Sequence, residues 1–331
     1  MDGKREAPVV VRVWRGTSVE SEHRGAWCFV GPEGVISSGG DQTRRRFLRS
    51  AAKPFQAVAA LERILASGFD LDADELALLA ASHAGQPVHV GTLEKLLDRA
   101  GLPRTALGCG THAPWHGPTA KALIREGASP SVLHHNCAGK HTAMLLAARV
   151  SGESLDDYLD PSHPVQVRNR ATLAAFAGCA VDAIGVDVDG CGAPTFSLAL
   201  PAAARAFASL VDGSHASPAL ERLHAAVVER PVAYCGDGRT CTRFIQLFGR
   251  DVWPKSGAEG FYGVAVPKLR AGFAFKIEDG STRAVEPWVA ATLLRRLNPD
   301  ADLRAVLETM ARPPVTNARG AVVGHVEADA V

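Results

Sequence analysis

The order of the hydrophobic periodicities along the chain most constrains its fold. Residues 9–40 read as short alternating strands separated by glycine and charged turns, and alternation returns over residues 258–280. Between them, over about residues 54–230, the apolar residues recur at helical spacing. This order predicts an α/β fold in which an antiparallel sheet is built from N- and C-terminal strands, with a helical subdomain between them.

The organisation of the whole chain follows from the same pattern. Two further helices, over residues 286–297 and 301–311, are predicted to close the chain. No linker, repeat or low-complexity tract suggests a boundary. We therefore expect residues 1–331 to form a single domain.

Composition excludes several classes of function. With 47% apolar and 21% charged residues and a formal charge of +1, the chain lacks the basic surface of a nucleic-acid binder. The charged segment 1–8 does not resemble a signal peptide, and no segment is apolar enough to span a bilayer. We expect a cytoplasmic protein without nucleic-acid or membrane partners. The seven scattered cysteines include no CxxC pair, so we expect most of them to be reduced core residues.

Ser50 and Lys53 form the first candidate for chemistry. In a helical or 3₁₀ turn their spacing places both side chains on one face, and Pro54 favours a helix that begins just after them. A serine becomes a nucleophile when a neutral lysine accepts its proton. A chain with eight lysines, however, contains about one such spacing by chance.

Three other segments carry reactive groups, and each has a plain structural alternative. Ser82 and His83 follow a helical run, where a helix-ending turn with a structural histidine explains them equally well. Cys137 with Lys140, and Asp189 with Cys191, are spaced to converge on a zinc ion, or to be buried in glycine-rich turns. Lys276 shares a strand face with small residues, or is an exposed lysine near a strand end.

The order of these motifs is more specific than any one of them. The segments that carry it are ESEHRG (20–25), RSAAKPFQ (49–56), ASH (81–83), HNCAGKH (135–141), HPVQ (163–166), DGCGAP (189–194), GAEG (257–260) and KIEDG (276–280). In this order they resemble the bacterial L-asparaginase II family of the Rhizobium etli inducible-asparaginase type, from about Val9 to near the C-terminus.

The resemblance implies a fold, an activity and a site. The fold is that of the serine β-lactamases and glutaminases, and the reaction is hydrolysis of L-asparagine to L-aspartate and ammonia through an acyl-enzyme. The catalytic pairs implied are Ser50 with Lys53 and Ser82 with Lys276. Substrate-binding residues are Arg49, Asp189 and His83, and the zinc ligands are Cys137, Lys140 and Cys191. We also expect a homodimer without a nucleotide or organic cofactor.

Two departures from the family pattern concern substrate affinity. His135 and Ala138 replace an asparagine and a serine beside the expected metal, and segment 233–241 differs from the usual glycine-rich sequence. Two other functions remain open. One is a penicillin-recognising serine acyl hydrolase, suggested by Ser50, Lys53 and the segment Lys255-Ser256-Gly257. The other is a non-catalytic asparagine- or metal-binding protein.

Overall fold

The computed structural model describes residues 7–331, so most of the charged segment at the start of the chain lies outside the described residues. Eleven strands and twelve helices follow one another in this part of the chain. The strands are β1 (Val9–Arg15), β2 (Ser18–Gly31), β3 (Gly34–Gly39), β4 (Arg46–Phe47), β5 (Gly185–Val188), β6 (Pro194–Leu198), β7 (Trp253–Ser256), β8 (Phe261–Val266), β9 (Ala271–Ile277), β10 (Pro314–Thr316) and β11 (Val322–Ala328). The helices are α1 (Lys53–Ala66), α2 (Ala73–Leu79), α3 (Pro87–Ala100), α4 (Gly117–Arg125), α5 (Ala138–Val150), α6 (Pro164–Ala177), α7 (Leu200–Ser209), α8 (Pro218–Glu229), α9 (Pro231–Tyr234), α10 (Thr240–Phe248), α11 (Val285–Leu297) and α12 (Ala301–Ala311).

The main sheet confirms the predicted fold class. Its strands lie in the order β10-β11-β1-β2-β9-β8-β7, with β3 paired to β2, and all of its pairs are antiparallel. N-terminal β2 pairs directly with C-terminal β9, from Gly25 opposite Ile277 to Val30 opposite Gly272. The sheet is therefore assembled from both ends of the chain, with the helices contributed by the sequence between them.

The structure corrects the predicted closing of the chain. After helices α11 and α12, strands β10 and β11 extend the sheet beyond β1. Their weak alternation hid them: β11 is mostly half-exposed, with one buried residue, Val326. The expectation of one domain over residues 1–331 stays a prediction.

A close contact between helix α7 and the sheet explains two glycines. A Cβ at Gly272 would lie 2.2 Å from the backbone oxygen of Ala204, and one at Gly263 would lie 2.0 Å from the Phe207 ring. Glycine in a strand interior often marks such an approach. These residues therefore let α7 lie directly on β8 and β9.

A small second sheet positions the segment before Ser50. It has the order β4-β6-β5, and Leu48 N–H, just after β4, donates to the Phe196 carbonyl on β6 at 2.9 Å. The predicted helical region therefore contains two strands, which hold the chain before Ser50 against the turn that carries Asp189 and Cys191. In residues 7–331, no helix combines the length and apolarity that crossing a bilayer requires.

Candidate active site

A cavity of about 800 Å³ opens where the two sheets meet the helices. This volume is typical of a small-molecule site. Six of the ten residues predicted from the sequence line it: Arg49, Ser50, Ser82, Cys137, Asp189 and Cys191. The other four, Lys53, His83, Lys140 and Lys276, do not line its wall, and their contacts decide what each can do.

Ser50 lies in a tight turn that directs it toward the cavity. Residues Arg49–Ala52 form a single 3₁₀ turn that leads into helix α1, and Arg49 has a left-handed backbone with φ of 51°. A non-glycine residue in this region stores strain, and such residues cluster at functional sites. The Arg49 side chain donates to the Asp189 carboxylate at 2.7 Å, which ties the turn to the β5–β6 connection.

Lys53 is buried and bonded to Ser82, which corrects the predicted pairing. Its Nζ donates to Ser82 Oγ at 3.0 Å and to the carbonyls of Ala81 and Asn136 at 2.7 and 3.2 Å. Within residues 7–331, Ser50 Oγ has no hydrogen bond to this amine. The three acceptors lie on other segments that pack over the start of α1, so tertiary contacts, rather than the three-residue spacing, determine the partner of Lys53.

Lys276 forms no hydrogen bond with Ser82 in the described residues. Its Nζ donates to the Glu259 carbonyl at 2.6 Å and also to the Ile277 carbonyl. The predicted Ser82–Lys276 pair is therefore wrong as a contact. The side chain lies at the end of β9, where the carbonyl groups of the neighbouring turn satisfy it.

Lys255 is a buried lysine that the sequence analysis placed in neither Ser/Lys pair. It lies in β7 with none of its surface exposed, and its Nζ has no hydrogen-bond partner among the described residues. The ammonium group lies 3.9 Å from the centre of the Tyr234 ring. Burial, together with the nearby positive charge of Lys53, lowers the pKa of Lys255 to about 7. A lysine that is partly neutral at neutral pH can act as a base.

A sequence signal for Lys255 was present. The segment Val252-Trp253-Pro254-Lys255 places one lysine in an otherwise apolar strand. Lysine is almost never fully buried without a partner, so such a position is a candidate for function.

The three predicted zinc ligands converge. Cys137 precedes helix α5, Lys140 lies in its first turn, and Cys191 lies in the β5–β6 connection. Lys140 Nζ donates to Cys191 Sγ at 3.1 Å and lies 4.0 Å from Asp189 Oδ2. The hydrogen bond with Cys191 lowers the pKa of the Cys137 thiol well below its ordinary value, against the effect of burial and with help from Lys53 and Lys140.

This donor set fits a zinc ion in its chemistry. Two thiols and an amine are ligands that zinc accepts, once they lose their protons. The neighbouring thiols raise the pKa of Lys140 in spite of its burial, so metal binding has to displace a proton from it. In the described part of the chain, no group of three or more His, Cys, Asp or Glu side chains is arranged to hold a metal. That Lys140 serves as the third ligand stays a prediction.

His83 lies behind the cavity wall. It is fully buried, its Nδ1 accepts from Gly85 N–H at 3.2 Å, and its ring stacks on His89. Burial lowers the pKa of His83 well below its ordinary value, so the ring is neutral. His83 does not line the cavity, and its predicted contact with substrate stays a prediction.

The departures found in the sequence form part of the cavity wall. His135 Nδ1 accepts from the Cys137 N–H at 3.0 Å and so supports the first zinc ligand. Arg239, which the sequence did not single out, lies with its guanidinium 4.7 Å from the Trp115 ring centre. Both residues line the cavity, and Arg239 forms no ion pair with any residue in 7–331. An unpaired cation at a cavity wall is available to an anionic ligand.

Comparison with known proteins gives one family and a set of distant structures. A family model described as L-asparaginase II matches residues 11–328. No curated protein matches the chain significantly. Among solved structures, the chain is similar to a β-lactamase from Mycobacterium bovis at 18% identity and a TM-score of 0.47, covering 82% of this chain and 94% of that one.

Two more solved structures show a weaker similarity. A putative β-lactamase from Bacteroides dorei is 15% identical with a TM-score of 0.43, over 76% of this chain and 84% of that one. A D-alanine carboxypeptidase from Burkholderia cenocepacia is 12% identical with a TM-score of 0.34, over 76% of this chain and 87% of that one.

Proposed function

The chain belongs to the L-asparaginase II family, an asparaginase-type hydrolase family, and we propose that it cleaves the side-chain amide of L-asparagine through a serine acyl-enzyme. One observation carries the mechanism. The cavity is lined by Ser50 and Ser82, buried Lys53 donates to Ser82, and buried Lys255 lies near enough to Lys53 for the two charges to interact. Such a group supplies both a nucleophile and a base without a histidine–carboxylate pair.

In the proposed reaction, Ser50 Oγ attacks the amide carbon. Its proton passes to the group formed by Ser82, Lys53 and Lys255 and is then delivered to the departing nitrogen, which leaves as ammonia. Water hydrolyses the resulting β-aspartyl ester by the same proton path in reverse. Hydrogen bonds between a nucleophile and its base are often long without substrate. The missing hydrogen bond between Ser50 and Lys53 is therefore compatible with this proton transfer.

Ser82 is the alternative nucleophile, and a contact favours it. Its Oγ already accepts from Lys53 Nζ at 3.0 Å, whereas Ser50 has no such bond. Against it, Ser82 is 3% exposed, and Ser50 lies in the strained turn beside Arg49. Ser50 therefore remains the first choice, with backbone N–H groups of its turn as donors to the oxyanion.

The charged groups of the cavity match the two ends of an amino acid. Arg239 is free to bind the substrate α-carboxylate, because Arg49 is already paired with Asp189. Asp189, with its second oxygen near Lys140, is the acceptor proposed for the α-amine. Under this proposal Arg49, which the resemblance implied to bind substrate directly, positions Asp189.

Zinc is the proposed cofactor, held by Cys137, Lys140 and Cys191. When bound, it would supply a fixed positive charge beside the substrate-binding groups. Its ligands lie on the Asp189 side of the cavity, and Lys140 itself approaches that carboxylate. The metal is therefore proposed to favour substrate binding, while the attack belongs to the serine.

A coupled ammonia assay tests the function. We expect ammonia from L-asparagine and its loss in Ser50→Ala, with the variant still folded because a hydroxyl is removed without a large packing change. L-Glutamine and a chromogenic cephalosporin complete the substrate panel, and Ser82→Ala is the matched variant. Wild-type turnover in Ser50→Ala together with loss of turnover in Ser82→Ala would make Ser82 the nucleophile in place of Ser50.

Two other results would replace the proposal. Hydrolysis of the cephalosporin in place of the amides would favour the penicillin-recognising alternative. Stoichiometric binding of L-asparagine with no ammonia would favour the non-catalytic one. We also propose a cytoplasmic homodimer, which light scattering and fractionation test.

A further inference from the structure

Two cysteines in the wall of the cavity are not used by the proposed reaction. Cys235 follows helix α9, and Cys241 lies in the first turn of helix α10. Both are buried free thiols that line the cavity, and they lie close enough for each to shift the pKa of the other. They lie in segment 233–241, where the chain departs from the family pattern.

Cys241 is held in surroundings that favour its thiolate. Its Sγ accepts from Ser256 N–H at 3.3 Å and lies 3.4 Å from Tyr262 Oη. Burial acts to raise the pKa of Cys241, but the contact with Cys235, the charge of Lys255 and these hydrogen bonds lower it to about 6. The thiolate is the form of cysteine that reacts.

Cys235 differs from its neighbour in a complementary way. The side-chain contact with Cys241 and burial raise its pKa well above the ordinary value, so it stays a thiol. One attacking thiolate beside one neutral thiol is the arrangement of a peroxide-reactive cysteine with a resolving partner.

The connection between the two residues can adjust. A disulfide needs the sulfur atoms about 2.05 Å apart, closer than two interacting thiols. Five residues separate the cysteines, and two of them are Gly236 and Gly238, with φ of 117° and 65°. Closing the bond would pull the start of α10, which carries Arg239, toward Cys235.

We propose that Cys235 and Cys241 form a redox site, which hydrogen peroxide converts into a disulfide that lowers hydrolysis reversibly. The Cys241 sulfur attacks one peroxide oxygen, the O–O bond breaks, and the departing oxygen leaves as water, giving a sulfenic acid. The Cys235 sulfur then attacks that sulfur, and its thiol proton leaves with the hydroxyl as a second water. Two thiols are oxidised and one peroxide is reduced.

Peptide mapping tests the redox site directly. The purified full chain is treated with hydrogen peroxide, its remaining thiols are alkylated, and it is digested with trypsin. Cleavage after Arg239 separates the two cysteines, so the disulfide joins the peptide 223–239 to the peptide 240–243. We expect this cross-linked pair, its disappearance with dithiothreitol, and a parallel loss and return of ammonia release.

Two variants sharpen the test. Cys235→Ser removes the resolving thiol, so we expect no cross-link and a Cys241 oxidised beyond recovery by dithiothreitol. Cys179→Ser is the matched control, because Cys179 is a more exposed cysteine that does not line the cavity, and the cross-link should persist in it. The wild-type map decides the inference even where a variant fails to fold.

Some outcomes overturn the inference. Cys235 and Cys241 that both remain alkylatable after peroxide treatment contradict the redox site, as does a cross-link that joins Cys137 to Cys191 instead. A cross-link without loss of activity contradicts its effect on hydrolysis. The loss of hydrolysis on oxidation rests on the proposed function, whereas the peptide map of the disulfide does not. A chain that forms the cross-link and releases no ammonia before oxidation supports the redox site and contradicts the proposed function.

Discussion

Lys255 on β7 and Lys276 on β9, the two strands that pair with β8, have different environments. Lys255 is buried and without a hydrogen-bond partner in the described residues, whereas Lys276 is half-buried and bonded to two carbonyl groups. A lysine that acts as a base has to be close to neutral, and burial lowers the pKa of both lysines, at Lys255 to about 7. Which of the two lysines can act as the base is therefore decided by the burial and the hydrogen-bond acceptors that the folded chain gives each of them.

The first prediction compares these two lysines. We expect Lys255→Met to lower turnover by at least about 10²-fold, the smaller end of what a positioned base contributes, and Lys276→Met to lower it by less than about threefold. Steady-state rates of ammonia release measure both. Equal losses in the two variants would remove the special role of Lys255.

Stability separates catalysis from structure in the same experiment. Methionine fills the volume of a buried lysine and removes an unpaired amine, so we expect the melting temperature of Lys255→Met to be unchanged or higher. A lower melting temperature together with lost activity would point to a structural role instead.

The second prediction concerns pH. Lys255 has a pKa of about 7 and faces Lys53 on α1, with Cys235 and Cys241 on the side of α10 and Cys137 before α5. Its neutral form is the base, so we expect kcat/KM to rise with pH through about 7 and to level off above it. The pH profile of Lys255→Met should lack this step. A wild-type profile that stays flat through pH 7 would contradict the assignment of the base.

At the scale of elements, the β7–β8 turn supports the turn that carries Ser50. A Cβ at Gly257 would lie 2.3 Å from the Leu48 carbonyl oxygen, which directly precedes Arg49. Gly257 N–H also donates to the Phe261 carbonyl at 2.8 Å, so the turn cannot easily move away. The absence of a side chain at Gly257 thus lets the end of β7 approach the turn at residues 49–52 closely.

The third prediction follows from this contact. We expect Gly257→Ala to lower the free energy of unfolding by about 1–3 kcal/mol, the usual cost of an added group in a packed site, and to lower kcat through displacement of Ser50. Gly91→Ala is the matched control, because Gly91 lies in helix α3 with no atom within 4 Å of the added Cβ. There we expect a gain of about 0.5–1 kcal/mol. Unfolding in urea measures the stability of both variants, and ammonia release measures kcat. A Gly257→Ala variant with normal stability and rate would contradict the need for a glycine at this contact.

Helix α5 approaches α2 in a similar way. A Cβ at Gly139 would lie 2.0 Å from the Leu78 carbonyl oxygen. This close approach brings Asn136 and Cys137, at the start of α5, next to the Ala81–Ser82 segment that follows α2. One glycine therefore helps to place the expected metal site and the Ser82–Lys53 contact together.

At the scale of the whole molecule, the expected zinc ligands join separate parts of the chain. Cys137 directly precedes helix α5 and Lys140 lies in its first turn, while Cys191 belongs to the connection in the small sheet. A ligand that binds only the folded protein stabilises it by mass action. The metal would therefore act on the stability of the fold as well as on substrate affinity.

The fourth prediction tests the metal. We expect about one zinc per chain in protein purified without chelator, and a lower melting temperature and higher KM after its removal, with a smaller change in kcat. Elemental analysis and thermal unfolding measure these quantities. Cys137→Ser/Cys191→Ser is the comparison variant, and the same zinc content in it as in the wild type would contradict the ligand assignment.

The sequence by itself determined the fold class and located one cavity through six of the ten predicted site residues. Alternation at both ends with helical spacing between them was sufficient to predict a sheet shared by N- and C-terminal strands, because these periods reflect which side chains are buried locally. The order of short motifs gave the family, and six of the predicted site residues line one cavity. Strands β10 and β11 were missed because β10 is only three residues long and β11 is mostly half-exposed, so neither has a clear periodicity.

Only the tertiary structure decided the pairing of the reactive groups. Ser82 bonds to Lys53 and not to Lys276, Lys255 is buried without a partner, and Arg239 faces the cavity unpaired. Each of these facts depends on segments far apart in the sequence that pack against one another. Spacing along a chain fixes which side chains share a face of one element, but the environment that sets a lysine's charge or a cysteine's partner comes from other elements, and no local pattern encodes it.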